Sequence, residues 1–486
     1  MSDMTGVVFP TSGETRSTGA LGRAVVAAAL EPIDPVGASA ARAETGWRRE
    51  YLKHFKRLVE AAGRDPEAAV TSARAGLAAL HEQMRWVDES GEHPLSAAVR
   101  AGTPPATETI EGIGQPETEL SIPLRGNRLR GDDLRRQLDR WVEGGVMEPG
   151  ARDALGVVMD NPDWLRFEGK TLVVLGAGAE MGPMRSALRW GATVAAVDLP
   201  RSDIWDRVMV YARTRAGRLL VPTRTQGDAR LEERAGLDVL HDPASVVAWL
   251  GGIPGPLVLG NYVYADGGTN LRLSAATEAI SMGLRQQRDD LALAFLATPT
   301  DVFQVPEGAV EYSNRSYQQA GGAIRRVRTP LRVASRGRLL RRQYAPLPEG
   351  PAISDTMVPQ QGPNYLLAKR IHRWRASVAA ADGQLVSMSV APPTRTQSVL
   401  KNRALAAAYA GAHRFGVEIF EPATANTVMA ALLAYDLHTG GVSARQGTPF
   451  EQEGVTAVHG GTWRVAYDPR SALGIAALLG LGAARH

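Results

Sequence analysis

The chain has 486 residues, 44% of them hydrophobic and 22% charged, a globular composition with room for one large or two to three ordinary domains. It contains no cysteine, which excludes disulfides, thiolate catalysis and cysteine-ligated metals, and its nine histidines form no H-x-x-x-H or H-E-x-x-H pair. A net charge of +4 is too small to argue for nucleic acid. No apolar run approaches the ~18 residues of a membrane span, and the first residues lack a basic-then-apolar signal, so a cytoplasmic protein is expected.

Residues 1–45 are rich in Gly, Ser, Thr, Pro and Ala without evident period and are expected to be a disordered tail. The next stretch, 46–165, reads as a helical region with a linker. Tyr51, Phe55, Leu58, Val59 and Ala62 repeat at helical spacing up to Gly63. Asp65-Pro66 then opens a helix reaching about Val87, with a capping side chain followed by proline at the first helical position. Residues 88–121 read as a linker or an extended arm. Leu134, Leu138, Trp141 and Val142 mark a further helix stopped by Gly144-Gly145, and a short one lies near 149–160. From 166 to 486, short apolar runs alternate with helical segments, the pattern of βαβ units. The predicted fold is α/β, a Rossmann-type doubly wound parallel sheet preceded by an all-helical region.

The stretch TLVVLGAGAEMGPMRSALRWGATVAAVDLPR, residues 171–201, carries the best-placed motif. A buried strand, Leu172 to Leu175, runs into a turn with Gly176, Gly178, Met181 and Gly182. A helix with Met184, Ala187 and Leu188 on one face follows, then a second strand, Thr193 to Val197, ending in Asp198. A dinucleotide site needs this order: glycines let the backbone approach the pyrophosphate, and the helix N-terminus offers free N–H groups. A carboxylate at the end of the next strand can accept the ribose hydroxyls, and Asp198 lies 22 residues after Gly176. Asp198 favours NAD over NADP; Arg201 would soften that preference. The bland alternative is a glycine turn in another α/β fold.

Near the end of the chain, NYLLAKR (364–370) sets Tyr365 and Lys369 four apart, on one face of a helix. With 11 tyrosines and lysines only at 53, 56, 170, 369 and 401, random placement gives this spacing about 0.1 times. The bland reading is a half-buried tyrosine beside a solvated lysine.

Together these segments resemble the short-chain dehydrogenase/reductase family, whose glycine pattern is T-G-x-x-x-G-x-G. Gly176 and Gly182 match its first and last glycines, while Leu175 replaces the Thr and Glu180 the middle glycine. LDVLHDPASVVAWL (237–250) is similar to the family's third-strand "D-V" and the helix after it, which implies that Asp238, with Val239, contacts adenine. PLVLGNYVYADGG (256–268) is similar to the fourth strand and its loop, with Asn261 at an Asn position, and LALAFLATPTDV (291–302) to the fifth. QLVSMSVAPPTRTQS (384–398) resembles the sixth strand and P-G loop, with Pro393 in place of glycine and Thr394 or Thr396 as the nicotinamide contact. EPATANTVMAALLAYDL and GGTWRVAY resemble the closing helix and seventh strand.

The resemblance implies an NAD(P)-dependent oxidoreductase interconverting a hydroxyl and a carbonyl, with Tyr365 as acid–base, Lys369 as its activator, and NAD (or NADP) as cofactor. A hydroxyl completing the set is sought in Ser354, 11 residues before Tyr365, or in Thr298 and Thr300 after the fifth strand. In the latter case residues about 303–358 are an insertion. That segment includes IRRVRTPLRVASRGRLLRR (324–342), with eight arginines, read either as a solvated or intersubunit loop or as an anion site for an acidic, coenzyme A-linked or carrier-linked substrate. The expected partner is a small molecule, nucleic acid is not expected, and a homo-oligomer is. Epimerisation or dehydration through a keto intermediate would use the same residues. A non-catalytic nucleotide- or partner-binding module is the rival from another class.

Overall fold

The computed structural model describes residues 5–13, 15–224, 229–319, 322–345 and 351–481. Its centre is a seven-stranded sheet with the spatial order 386–390, 291–297, 257–261, 171–175, 193–197, 218–223, 106–111. Six of the strands are parallel, and Ala106–Glu111 closes one edge antiparallel to Arg218–Thr223. The strands Thr171–Leu175, Leu257–Asn261 and Val386–Val390 are buried at every position, as expected of a sheet covered by helices on both faces. From Thr171–Leu175 the chain winds outward in one direction to 218–223, then returns to wind the other way to 386–390. The strand order therefore reverses at Thr171–Leu175, and in open α/β sheets ligands bind in the crevice beyond the carboxyl ends of the strands at such a point.

Of the expected disordered tail, 1–45, the described residues 5–13 and 15–45 are ordered; residues 1–4 and 14 lie outside the described residues. Gly6–Val8 pairs with Arg85–Asp88, and helices occupy Thr18–Leu30, capped by Ser17, and Pro35–Ala43, capped by Asp34. Leu21, Val25, Val26 and Leu30 are fully buried. They share one apolar core with Tyr51, Phe55, Leu77, Leu271, Leu367 and Ile371. The alanine-rich composition conceals a helical spacing of branched residues, and that buried stripe offsets the ordering entropy.

The 46–165 region is likewise not all-helical. Besides the helices Trp47–Ala62, Pro66–Gln83, Gly131–Glu143 and Pro149–Asp160, it holds the hairpin Arg85–Asp88/Gly91–Pro94. Part of the expected linker forms the Ala106–Glu111 edge strand, whose backbone groups need the partner that Arg218–Thr223 provides. Both large cores run across residue 165, so no boundary between separate cores lies there. The Pro66–Gln83 helix packs closely on Gly362–Ala381 because Gly76 has no side chain: a Cβ there would stand 2.6 Å from the Trp374 ring.

Two strands differ from the family pattern. The third parallel strand is Arg218–Thr223, and Asp238 lies beyond it in a turn before the Pro243–Gly251 helix. The helix Pro422–Thr439 is present, but GGTWRVAY forms turns and one isolated bridge at Tyr467, leaving Val386–Val390 as the sheet edge. Within 303–358, Val302–Gln304 and Ile353–Asp355 pair antiparallel, and the helix Glu307–Gln318 and the described helix Gly322–Ala334 lie between them. This hairpin returns the chain to the place it left.

Candidate active site

The turn after Thr171–Leu175 is built on Gly176, whose φ of 89° is a left-handed conformation and whose Cβ would sit 3.0 Å from the Val263 backbone nitrogen. The N–H groups of Gly176 and Ala177 both donate to the Val197 carbonyl, at 2.8 and 3.1 Å. Gly178 donates to the Asp198 carboxylate at 2.7 Å, and Leu199 donates to its other oxygen at 2.8 Å. Burial pushes the Asp198 carboxyl above its ordinary range, and those two N–H groups pull it back. Among the described residues the backbone N–H groups of Glu180, Met181 and Gly182 have no protein acceptor. Gly182 is buried at an open position: its Cβ would meet nothing closer than 3.6 Å. The helix that follows is short, Met184–Trp190.

The remaining nucleotide-side candidates are placed less uniformly. Leu237 donates its N–H to the Asp198 carbonyl, which brings the 237–239 segment beside the second strand. The Asp238 carboxylate, however, accepts from Leu240 N–H and pairs with His241, both at 2.8 Å, and Val239 is buried in the core. Arg201 forks onto Asp203, at 3.0 and 2.9 Å. Thr394 donates to the Pro392 carbonyl, and the Thr396 hydroxyl pairs with Ser398. Glu180, the departure from the family glycine pattern, reaches across the crevice: its carboxylate accepts the Gln397 N–H at 2.8 Å, tying the glycine turn to the loop after Val386–Val390.

Tyr365 and Lys369 stand on the first turns of the helix Gly362–Ala381, both half-buried. The Tyr365 hydroxyl donates to Thr298 Oγ1 at 3.0 Å, and Thr298 is in turn 3.0 Å from the Thr300 hydroxyl. The two threonines follow Leu291–Ala297 directly, so the paired ends of the insertion bring residues 67 positions apart into contact. Burial pushes the phenol above its ordinary value; the Thr298 hydroxyl opposes that, and the Asp301 carboxylate adds to it. Burial also lowers the Lys369 ammonium to about 8, with Asp301 holding it up. The site thus joins Tyr365, Lys369 and the threonine pair. Ser354 is elsewhere in the hairpin, opposite Phe303, where it accepts from Gln343 at 3.1 Å.

Behind the lysine, Asn261 donates to Thr277 at 2.7 Å and pairs with His372 Nε2 at 3.1 Å. Burial, with the Lys369 ammonium nearby, lowers His372 to about 3, so the imidazole is neutral. Asn261 therefore serves the interior instead of the crevice. Tyr264 meets the Tyr365 ring edge-on, with centroids 6.5 Å apart, and Tyr409 is close enough for the Tyr365 charge to raise its phenol further. Neither tyrosine carried a spacing signal, and both come from segments beyond strand ends. In the arginine run, Arg328 and Arg342 lie over Tyr317, Arg332 donates to its hydroxyl at 2.7 Å, and Arg341 pairs with Asp468 at 3.0 Å. Three of these arginines gather on Tyr317 within the insertion, and Arg341 ties it to Asp468 outside it.

Sheet order, reversal point and turn define an α/β protein of Rossmann type. Among solved structures, it is similar to the terminal R domain from the myxalamid PKS-NRPS biosynthetic pathway, with a TM-score of 0.29 and 10% identity, over 62% of this chain and 68% of that one. No family model matches the chain, and no curated protein matches it. No described helix is long and apolar enough to cross a membrane.

Proposed function

We propose that the chain is a dinucleotide-dependent oxidoreductase that interconverts a hydroxyl and a carbonyl group. The observation that carries this reading is the hydrogen-bonded set Tyr365–Thr298–Thr300 with Lys369 one helical turn away. The residues of the crevice suit the cofactor: three successive N–H groups lack an acceptor, and Gly176 holds the turn close to the strand ends. Gly176 to Gly182 would hold the pyrophosphate and Asp198 the adenosine ribose, since each carboxylate oxygen keeps a lone pair beyond its present bond. When bound, the nicotinamide supplies or accepts the hydride. Tyr365 keeps its proton at neutral pH, which makes it a donor to a carbonyl oxygen; Thr298 orients the phenol, and Lys369 keeps positive charge beside the oxygen that becomes negative. NAD is the favoured cofactor because Asp198 repels a 2′-phosphate and Arg201 is paired with Asp203.

The test is thermal stability in the presence of NADH and of NADPH. NADH is expected to raise the melting temperature more than NADPH, and Asp198→Ala to narrow that gap. If neither nucleotide shifts the transition, the non-catalytic reading takes over. That second reading draws on Glu180, whose carboxylate already spans the crevice. Removing it decides how the strap acts: Glu180→Ala is expected to tighten NADH about tenfold by relieving like-charge repulsion of the pyrophosphate. Unchanged or weaker affinity in a titration would show that Glu180 does not oppose the nucleotide.

A further inference from the structure

A cavity of about 690 Å³ lies at the other end of the helix that bears Tyr365, between the helices Pro66–Gln83, Gly267–Arg285 and Gly362–Ala381. Arg375 and Val378, on its wall, are ten and thirteen residues beyond Tyr365, or roughly 15–20 Å along the helix axis. The volume is that of a small-molecule site.

Its lining has two characters. Leu77, Val99 and Val378 form an apolar wall. Facing them are Arg74, Arg100, Arg285, Arg375 and His81. Two carboxylates answer these cations. Asp382 joins Arg74 and Arg285, and buried Glu278 takes Arg375, at 2.9 Å, and His81, at 3.1 Å. Four guanidiniums against two carboxylates leave an excess of two positive charges, even with His81 neutral. Arg100 is exposed, and its side chain has no partner among the described residues. Guanidiniums fixed by buried or bridging carboxylates lose little entropy on binding. An excess of one sign along a concave, partly apolar wall also concentrates the potential inside it.

We propose that this cavity is a binding site for a small amphipathic anion: an acidic head on the arginines and an apolar body against Leu77, Val99 and Val378. The carboxylates divide the labour. Glu278 and Asp382 preorganise three guanidiniums, while Arg100 at the mouth supplies a fork that the protein itself leaves open for a carboxylate, sulfonate or phosphate. The site shares no residue with the nucleotide crevice, so it stands whether or not the oxidoreductase reading does.

The test uses the full chain and 8-anilinonaphthalene-1-sulfonate, an anion with an apolar body, followed by fluorescence. One saturable equivalent is expected, displaced by octanoate or octyl phosphate and not by octanol at the same concentration; whichever anion competes better tells a carboxylate from a phosphate ligand. NADH should leave the signal in place. Arg100→Glu, at an exposed and unpaired position, should weaken binding at least tenfold with an unchanged melting temperature. Ala78→Trp, which fills the cavity from an exposed helical position, should abolish it. Equal competition by octanol, or wild-type affinity in both variants, would overturn the assignment.

Discussion

Tyr365→Phe is expected to cut turnover by about 10²–10⁴-fold, the usual worth of a positioned proton donor, and to leave the thermal shift by NADH intact. The phenol oxygen donates a hydrogen bond to Thr298 at 3.0 Å and is pushed up by burial, so that it holds its proton. Phenylalanine keeps the ring that packs against Tyr264 and removes only that proton. NADH oxidation with a panel of aldehydes and ketones reads the effect, and reduction should be the faster direction near neutral pH because the protonated phenol is the prevailing form. Thr298→Val should cost less, since it disorients the hydroxyl without deleting it. A Tyr365→Phe protein that turns over at the wild-type rate would remove the tyrosine from the chemistry, whatever the nucleotide does.

The largest effect on stability is expected from Asp301→Ala. Asp301 is fully buried and accepts from Arg370 at 2.8 Å and Arg373 at 2.9 Å. Arg373 keeps Glu453 and the Val302 carbonyl, but among the described residues the Arg370 side chain has no other acceptor: its Nε and Nη1 are already without one. Removing Asp301 leaves a buried guanidinium uncompensated, which costs about 3–5 kcal/mol. Urea unfolding at pH 7 measures it, against Arg42→Ala as a control at an exposed pair with Glu31 that is worth about 0–1 kcal/mol. A loss for Asp301→Ala no larger than the control's would mean that the guanidiniums find other partners or water. Because Asp301 also holds the Lys369 ammonium up, the same substitution should lower the pH at which the lysine loses its proton.

The helix Gly362–Ala381 shows how far the sequence could be followed. Its first turn was legible, because Tyr365 and Lys369 sit at a spacing that places both on one face. Its later turns were not. The polar residues Arg370, His372, Arg373 and Arg375 follow in the next turns, and all four are buried. The three guanidiniums are accommodated because Asp301, Glu278 and Glu453 arrive from other elements, and no local pattern encodes such a meeting. The alanine-rich start of the chain is the reverse case: a helical period was present at Leu21, Val25, Val26 and Leu30 but was masked by composition.

From sequence alone came the alternation of strand and helix, the glycine turn with its carboxylate, and the tyrosine–lysine pair, all of them features whose physics acts over one or two adjacent elements. Which hydroxyl meets Tyr365 was decided by tertiary structure: Ser354, 11 residues away, and the Thr298–Thr300 pair after the fifth strand stood as alternatives until the 302–355 hairpin folded the insertion out and left Thr298 beside the phenol. The fate of Glu180, the recruitment of residues 106–111 to the sheet edge and the arginine-lined cavity were settled in the same way. Each depends on side chains or backbone groups far apart in the chain satisfying one another's charge or hydrogen bonds, and that pairing exists only once the chain is packed.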